Sequence, residues 1–581
     1  MRFLLLLIGA AALFLGWNMP NHYPLWVSFH GELAAAFGLS LLIGGLVSLL
    51  PGDLALRLPM PRAGWGWLFV AGLPFAQFLA GGLVFRGDAT LGMLYGASAA
   101  LSIYAGNLWA AQAGRGVVLL WLWATILFGA IASFAVALAQ WLHVAPGGWW
   151  STGLIVTRPF GNFGQPNQFG LFMVWGIVAA AALFEMRRIE HRAVLALVVL
   201  MFGFGVAISQ SRSALVAIVL APAVWSGGRG GIGPRLRLVD VAVAVAVGLL
   251  LHFGLPWIEE RLYLSVAQVR ATFEVGPREA IWRHFAAAIA EHPWLGYGFG
   301  QGVMALSEVA TRVAPSRNTI YAHNVVLDLA TWYGVPVALA LCAVFAAWML
   351  GWLRRSGHAG LDMQRHLVFA VWLALVVQSL LEFPFAYAYF LLPAALLAGA
   401  ISPLPEGVGE QGSPGVRAAR WVIALAALAF ALLATLAWEY LQLEDDFRAA
   451  RFERYGFVDR PEHAALTNPI VLDQLAALNA SSHFALRPGM PPEQIEQLHI
   501  LARRFHLLPT RMDYAKALWL NGRQADAENE LRIIRGVYHP SKFALIERDW
   551  MAWKEEHRGD LTAARDAAMP EAEPKPRPGA N

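Results

Sequence analysis

Apolar runs close to the 20 residues that span a bilayer as a helix recur along this chain, with short polar breaks between them. They fall near 3–17, 33–50, 65–85, 89–111, 117–142, 168–184, 193–208, 213–226, 238–255, 335–353, 366–382, 386–402 and 419–438. The pattern predicts an all-α, polytopic membrane protein with about thirteen transmembrane helices. The weakest pair is 193–226, which the polar SQSRSAL (Ser209–Leu215) interrupts. The first run, MRFLLLLIGAAALFLGW, has the Arg2 and apolar stretch of a signal peptide. Its only run of small residues, GAAA, sits inside the apolar stretch rather than after it, and more spans follow. It reads as a first, rather short transmembrane helix.

Arginine placement sets the expected orientation. With the N-terminus cytoplasmic, every inner loop carries arginine, Arg57, Arg115, Arg188, Arg235, Arg355 and Arg417 among them. The short outer loops hold only Arg86, Arg158 and Arg212. An odd number of spans then leaves the chain beyond about Trp438 outside. Also outside are the turn RPFGNFGQPNQFG (Arg158–Gly170) and a long loop, about 256–323. Long loops escape the charge rule, so Arg261, Arg270, Arg278, Arg283, Arg312 and Arg317 in that loop do not contradict it.

Three regions follow: a membrane domain over 1–438, a helical extramembrane domain over 439–565, and a Pro-rich end at 566–581 expected to be disordered. Within the second, DYAKALWLNGRQADAENELRII has helical apolar spacing on both sides of Asn521-Gly522-Arg523. That is the form of a tetratricopeptide-type hairpin.

Composition agrees with the membrane reading. The 581 residues are 58% hydrophobic and only 14% charged, against roughly 25% charged in soluble domains, and the mean hydropathy is +0.52. The net charge of +4 comes mainly from arginines dispersed between apolar segments, while all lysines (Lys516, Lys542, Lys554, Lys575) lie near the end. Dispersed arginines are topology signals rather than a nucleic-acid patch. The single cysteine, Cys342, lies in an apolar run and excludes an intrachain disulfide. His284 and His292 are eight apart with no partner in helical register, so no metal site is expected. GYGFGQG has no βαβ context and is not a nucleotide loop. No cofactor is expected.

Polar groups at membrane depth or its edge are costly and therefore candidates for function. Four clusters share the outer side. One holds Arg158, Gln165, Asn167 and Gln168, and another Ser209, Ser211, Arg212 and Ser213. A third holds Arg278, Arg283, His284, Glu291 and His292, and the fourth His323 and Asn324 at the start of a helix. Guanidinium forks bind phosphate oxygens and stay charged in a low dielectric. Histidine titrates near neutrality and can take a proton from a hydroxyl. Together they suit displacement of a diphosphate by an alcohol, with a lipid-linked diphosphate in the outer leaflet as donor. The plainer readings are a solvated or headgroup-binding arginine, a surface histidine beside a capping Asn324, and a Glu382 that snorkels or pairs with an arginine.

The order of motifs resembles the O-antigen ligase / Wzy polymerase superfamily. The pieces that carry the likeness are SRSAL (Ser211–Leu215), EHPWLGYGFG (Glu291–Gly300) and HNVVLDLATWYGVP (His323–Pro336). RPFGNFGQPNQFG is similar to the "GNxGQPN" signature of the PglL-type protein O-oligosaccharyltransferases, and LLEFPFAYAYFLLP to that subfamily's late acidic segment. The resemblance implies a bacterial inner-membrane glycosyltransferase with its active site and C-terminal domain in the periplasm. It moves an oligosaccharide en bloc from undecaprenyl diphosphate to Ser/Thr hydroxyls of pilin-like or other exported proteins, inverting and without a metal. By motif, His323 is the base, Arg212 and Arg278 hold the diphosphate with Arg158 and Arg283, and Gln165, Asn167, Asn324 and Glu382 shape the pocket or bind sugar. An O-antigen ligase acting on lipid A-core and a Wzy-type polymerase remain as alternatives. A lipid-linked glycan transporter is a reading of another class, but charges within spans and internal pseudo-repeats are not evident.

Overall fold

The computed structural model describes residues 2–23, 25–47, 57–145, 147–148, 150–153, 158–226, 235–264, 277–354, 359–413, 416–454, 457 and 469–558. Arg270 and the Pro-rich end at 566–581 lie outside them. Each apolar window coincides with a helix. The first nine are α1 (Arg2–Asn18), α2 (Phe29–Val47), α3 (Arg62–Leu79), α4 (Arg86–Ala113), α5 (Arg115–Trp141), α6 (Pro166–Glu185), α7 (Arg192–Ser209), α8 (Arg212–Ser226) and α9 (Leu238–Arg261). Three helices of the long loop follow: α10 (Pro277–Glu291), α11 (Gly302–Val309) and α12 (Val325–Tyr333). The windows resume with α13 (Val335–Arg354), α14 (Ala359–Ser379), α15 (Ala388–Ala400) and α16 (Arg420–Arg454). The last five helices are α17 (Asp473–Ser481), α18 (Pro492–Arg504), α19 (Leu508–Leu520), α20 (Gln524–Val537) and α21 (Pro540–Glu556). Among the described residues, the strands are confined to a parallel bridge of Arg57–Leu58 with Arg417–Ala418.

Among the described residues, seven helices are long and apolar enough to cross a membrane: α2, α5, α6, α7, α9, α13 and α16. The windows at α1 and α15 are apolar but shorter. α4 is long but rich in Ala and Gly, with Ser98, Ser102, Asn107 and Gln112 among them, and is buried along most of its length between other helices. There, close approach matters more than hydropathy. A Cβ at Gly106 of α4 would lie 2.1 Å from the Leu396 carbonyl of α15. By contrast α9, α13 and α16 leave most of their apolar surface exposed, as helices surrounded by lipid do. The chain is a multi-pass membrane protein.

Helices run through both expected boundaries. α9 continues through Pro256 to Arg261, so the first residues of the expected long loop are helical. α16 runs unbroken past Trp438, so one helix carries the chain from the bundle into the C-terminal region.

The helix ends sort the arginines. At one end of the bundle Arg115 pairs with Glu410 at 2.6 Å and Arg192 with Asp240 at 2.7 Å. There Arg235 also donates to the Phe184 and Ile189 carbonyls at 2.6 and 3.0 Å. The opposite end carries Arg158, Arg212, Arg278 and His323.

The C-terminal helices are tied to that second end. Glu439 of α16 accepts from the Val471 and Leu472 amides (3.0 and 2.9 Å), which lead into α17. Asp473 of α17 accepts from the Arg86 and Gly87 amides (3.0 and 2.7 Å), donors that α4 cannot satisfy within its own first turn. Arg504 closes a two-pronged ion pair on Asp88 at 2.7 and 2.6 Å, with Asp88 buried. Farther out, fully buried Arg511 joins Glu530 at 2.9 Å and also bonds Ser307 of α11. Replacing Asp88 with alanine leaves the partly buried Arg504 without its partner, an expected loss of about 2 kcal/mol. Thermal unfolding in detergent and faster proteolysis of the C-terminal helices read this loss out.

Candidate active site

A cavity of about 1700 Å³ opens at the end of the bundle that carries His323. Arg158, Gln165, Asn167, Arg212, Arg278, His323 and Glu382 all line it. Four stretches far apart in sequence therefore meet, and the side chain that joins three of them is Glu382.

Glu382 lies past the end of α14, in the turn before α15. One carboxylate oxygen, Oε1, accepts from Asn167 Nδ2 at 2.7 Å and from the Arg278 guanidinium. The other, Oε2, meets His323 Nδ1 at 2.9 Å and Gln165 Nε2 at 3.3 Å. Burial alone would raise this carboxyl. The hydrogen bond from His323 and the charge and hydrogen bond of Arg278 outweigh it and hold the group below the usual carboxylate range.

Local sequence explains how each partner arrives. Pro166 occupies the first turn of α6, where its missing N–H costs nothing and its fixed φ suits the helix. The amides of Gln165 and Asn167, on either side, both reach Glu382. The Gln378 side chain holds the Asn167 carbonyl at 2.6 Å. Asn162 is a structural latch: it donates to the Asn18 and Trp150 carbonyls at 2.7 and 3.0 Å. In SQSRSAL, Ser211 caps α8, its hydroxyl accepting from the Ala214 amide at 3.3 Å, so Arg212 falls in the first turn. The Ser209 carbonyl accepts from Arg158 Nε and its terminal nitrogen at 2.8 and 2.6 Å.

His323 itself has φ +55°, a left-handed conformation uncommon outside glycine. Both neighbours hold it there. The Ala322 amide donates to Asp328 Oδ1 at 2.7 Å, and Asn324 caps α12 by accepting from the Val326 and Leu327 amides at 3.0 and 3.3 Å. The glycine-rich EHPWLGYGFG packs against the far end of α12, with Tyr297 N bonding the Thr331 carbonyl at 2.7 Å. At Gly334, between α12 and α13, φ is +81° and a Cβ would lie 2.2 Å from the Trp294 carbonyl. This motif is a brace for the helix that follows His323.

Not every sequence candidate joins the cavity. Arg283 is exposed on α10 and is not part of the lining. The Asn324 side chain is spent on the cap and on the Leu380 carbonyl at 3.2 Å, and it does not line the cavity. His284 is buried and bonds the Ala280 carbonyl at 3.1 Å, while Glu291 pairs with Arg312 at 2.7 Å on the surface. From that third cluster only Arg278 contributes.

Other lining residues were not among the sequence's site candidates: Arg317, Arg504 and the aromatic group of Tyr321, Phe383 and Tyr387. Tyr321 stacks on Phe383 at 4.7 Å, and Phe383 meets the His323 ring edge-on at 5.0 Å. The run of aromatics in EFPFAYAY was the available signal. Among the described residues no group of three or more His, Cys, Asp or Glu is placed to hold a metal ion.

Comparison with known proteins bears on the same segments. The protein glycosylation ligase family matches residues 159–184, the O-antigen ligase family residues 196–342, and the C-terminal region of the virulence factor membrane-bound polymerase family residues 366–551. A general O-oligosaccharyltransferase of Acinetobacter baylyi (strain ATCC 33305 / BD413 / ADP1) is 30% identical over 449 residues, covering 74% of this chain and 75% of the relative. The chain belongs to the PglL-type O-oligosaccharyltransferase family. It is a glycosyltransferase. A ComP-specific O-oligosaccharyltransferase of the same strain is 26% identical over 402 residues, 68% of this chain and 71% of the relative. The first matched stretch, 159–184, contains Gln165 and Asn167, and the last runs from α14 into α21. The matched ranges thus take in Gln165 and Asn167 in the first, His323 in the second and Glu382 in the third.

Proposed function

We propose that this transferase moves a preassembled oligosaccharide from undecaprenyl diphosphate to serine or threonine hydroxyls of exported, pilin-like proteins on the periplasmic side of the bacterial inner membrane. The observation that carries the reading is the convergence of Arg278 and His323 on the two oxygens of Glu382, beside Arg158 and Arg212. Glu382 occupies Nδ1 of His323, so Nε2 is the ring nitrogen left to accept a proton. The acceptor hydroxyl gives its proton to Nε2 as its oxygen attacks the anomeric carbon from the face opposite the diphosphate. The bond from that carbon to the phosphate oxygen breaks, the configuration inverts, and undecaprenyl diphosphate departs. Arg278, Arg212 and Arg158 take up the charge that grows on the leaving oxygens.

The cavity suits a donor of this kind. Its lining also includes the apolar side chains of Trp67, Val70, Leu341, Val344, Trp348 and Trp372, which suit contact with an isoprenoid chain. The match to the O-antigen ligase family keeps lipid A-core as the rival acceptor. Co-expression with a lipid-linked glycan and a tagged pilin-like protein separates the two. Glycan-sized increments in the intact mass of the protein are the expected result, and glycan found only on lipid A-core overturns the protein acceptor. Reporter fusions at Gly147 and at the C-terminus are expected to read periplasmic; a cytoplasmic signal at either one breaks the orientation.

A further inference from the structure

We infer that Gln168 and Tyr389 are positioning residues for glycan transfer, ordering through Gln165 a hydrogen-bond chain in which every member donates toward Glu382. The inference rests on the reading of His323 as the base, and extends it to two side chains outside the cavity.

The chain has three links. The Tyr389 hydroxyl donates to Gln168 Oε1 at 2.7 Å. Gln168 Nε2 donates to Gln165 Oε1 at 2.6 Å, and Gln165 Nε2 donates to Glu382 Oε2 at 3.3 Å. That carboxylate oxygen is the one that meets His323 Nδ1 at 2.9 Å. Gln168 and Tyr389 are buried, at 3% and 4% exposure, and neither lines the cavity. Any part they take in the reaction therefore passes through Gln165 and Glu382.

Local structure brings the members together. Gln165 stands at the cap of α6, yet its side chain makes no cap bond and turns to Glu382 instead. Gln168 follows three positions on, so the two side chains share one helical face. Its N–H also donates to the Gln165 carbonyl at 3.1 Å. Tyr389 is the second residue of α15. Its carbonyl accepts from Trp17 Nε1 at 2.6 Å, and its ring meets Phe163 at 5.8 Å and stacks on Tyr387 at 5.3 Å. These contacts fix where its hydroxyl points. The Tyr387 hydroxyl also bonds Gln168.

The carboxylate dictates the direction of the chain. An ionised carboxylate only accepts, so Gln165 must turn its NH₂ to Glu382 and its oxygen to Gln168. Gln168 must then give its own NH₂ to Gln165, and its buried oxygen is satisfied by the Tyr389 hydroxyl. Reversing either amide would set NH₂ against NH₂ or oxygen against oxygen. Bonds in such a buried series polarise one another, which favours negative charge at the receiving end. The other carboxylate oxygen has a parallel arrangement. Arg158 donates to Asn167 Oδ1 at 3.2 Å, and Asn167 Nδ2 donates to Glu382 Oε1 at 2.7 Å. There a cation orients the amide, and on the Oε2 side Gln168 does.

The test follows transfer from a lipid-linked glycan to a tagged acceptor protein that the unmodified full-length enzyme glycosylates, read by intact mass. His323→Asn and Glu382→Gln are assayed first. Wild-type rates in both would remove the base reading, and this inference with it. Gln168→Met keeps the side-chain length without its hydrogen bonds. It is expected to lower kcat about tenfold, roughly the worth of one or two neutral hydrogen bonds, with KM for the lipid-linked donor unchanged. Tyr389→Phe keeps the ring and is expected to lower kcat about threefold; it carries the test if Gln168→Met does not fold. In the Glu382→Gln background neither change is expected to cost more than about twofold, because no carboxylate is left for the chain to address. The same loss in both backgrounds would reduce the two residues to packing and overturn the inference. Wild-type kcat in the single variants would overturn it too, as would a loss expressed in KM alone.

Discussion

Replacing His323 with asparagine is expected to lower glycan transfer by on the order of 10³-fold, the usual contribution of a positioned general base, while protein level and membrane insertion stay unchanged. Asparagine is the informative choice because His323 sits at φ +55°. Asparagine tolerates that conformation, whereas alanine adds roughly 1 kcal/mol of backbone strain and confuses loss of the base with a shift of α12. The Asn324 cap and the Asp328 contact to Ala322 remain in place, so the donor should still bind. Transfer to a tagged acceptor and retention of lipid-linked glycan by the purified enzyme are the two measurements. Transfer near the wild-type rate would remove His323 as the base. Equal loss of donor binding would move its role to the diphosphate.

Much of this site was legible in the chain because polar residues are conspicuous in an apolar sequence. The thirteen windows fell on helices since hydropathy over a span of bilayer length is a strong, local signal. Helix boundaries were weaker. Pro256 did not end α9, and nothing local in α16 marks where the bundle gives way to the C-terminal region.

What the sequence concealed was pairing. Arg278 and Arg283 are alike in composition and only five positions apart, yet that spacing turns one toward Glu382 and leaves the other exposed. Asn324 and Asn167 are both amides beside a helix start, but one is consumed by its own cap and the other reaches across to Glu382. Asp88 and Arg504 are separated by more than four hundred residues, so no local pattern announces their bond. The EHPWLGYGFG motif was visible as a motif, but its service as a brace against α12 depends on backbone contacts that only the fold supplies.

Glu382→Gln is the second change with a large expected effect, and it tests the hub rather than the base. The carboxylate satisfies donors from Arg278, His323, Asn167 and Gln165 with two oxygens. A glutamine keeps the volume but offers one oxygen, and turns an NH₂ toward groups that themselves donate. The half-buried Arg278 then loses its counter-charge and His323 its orienting acceptor, at a cost of about 1–2 kcal/mol once solvent screening is counted. Transfer is expected to fall on the order of 10²-fold, since an orienting carboxylate contributes less than the base it orients.

The pH dependence carries the sign of the arrangement. The folded state holds the Glu382 carboxyl below its ordinary value of 4.5, so its contribution to stability is complete above that value. It is lost as the pH falls through the lower, folded-state value. Wild type should therefore unfold at a higher temperature than Glu382→Gln at pH 7, and the gap should narrow as the pH is lowered below about 4.5. A gap that stays constant through the acid range would mean that the charge of Glu382 is not what binds the site together. An unchanged rate of transfer in the variant would separate the hub from catalysis altogether.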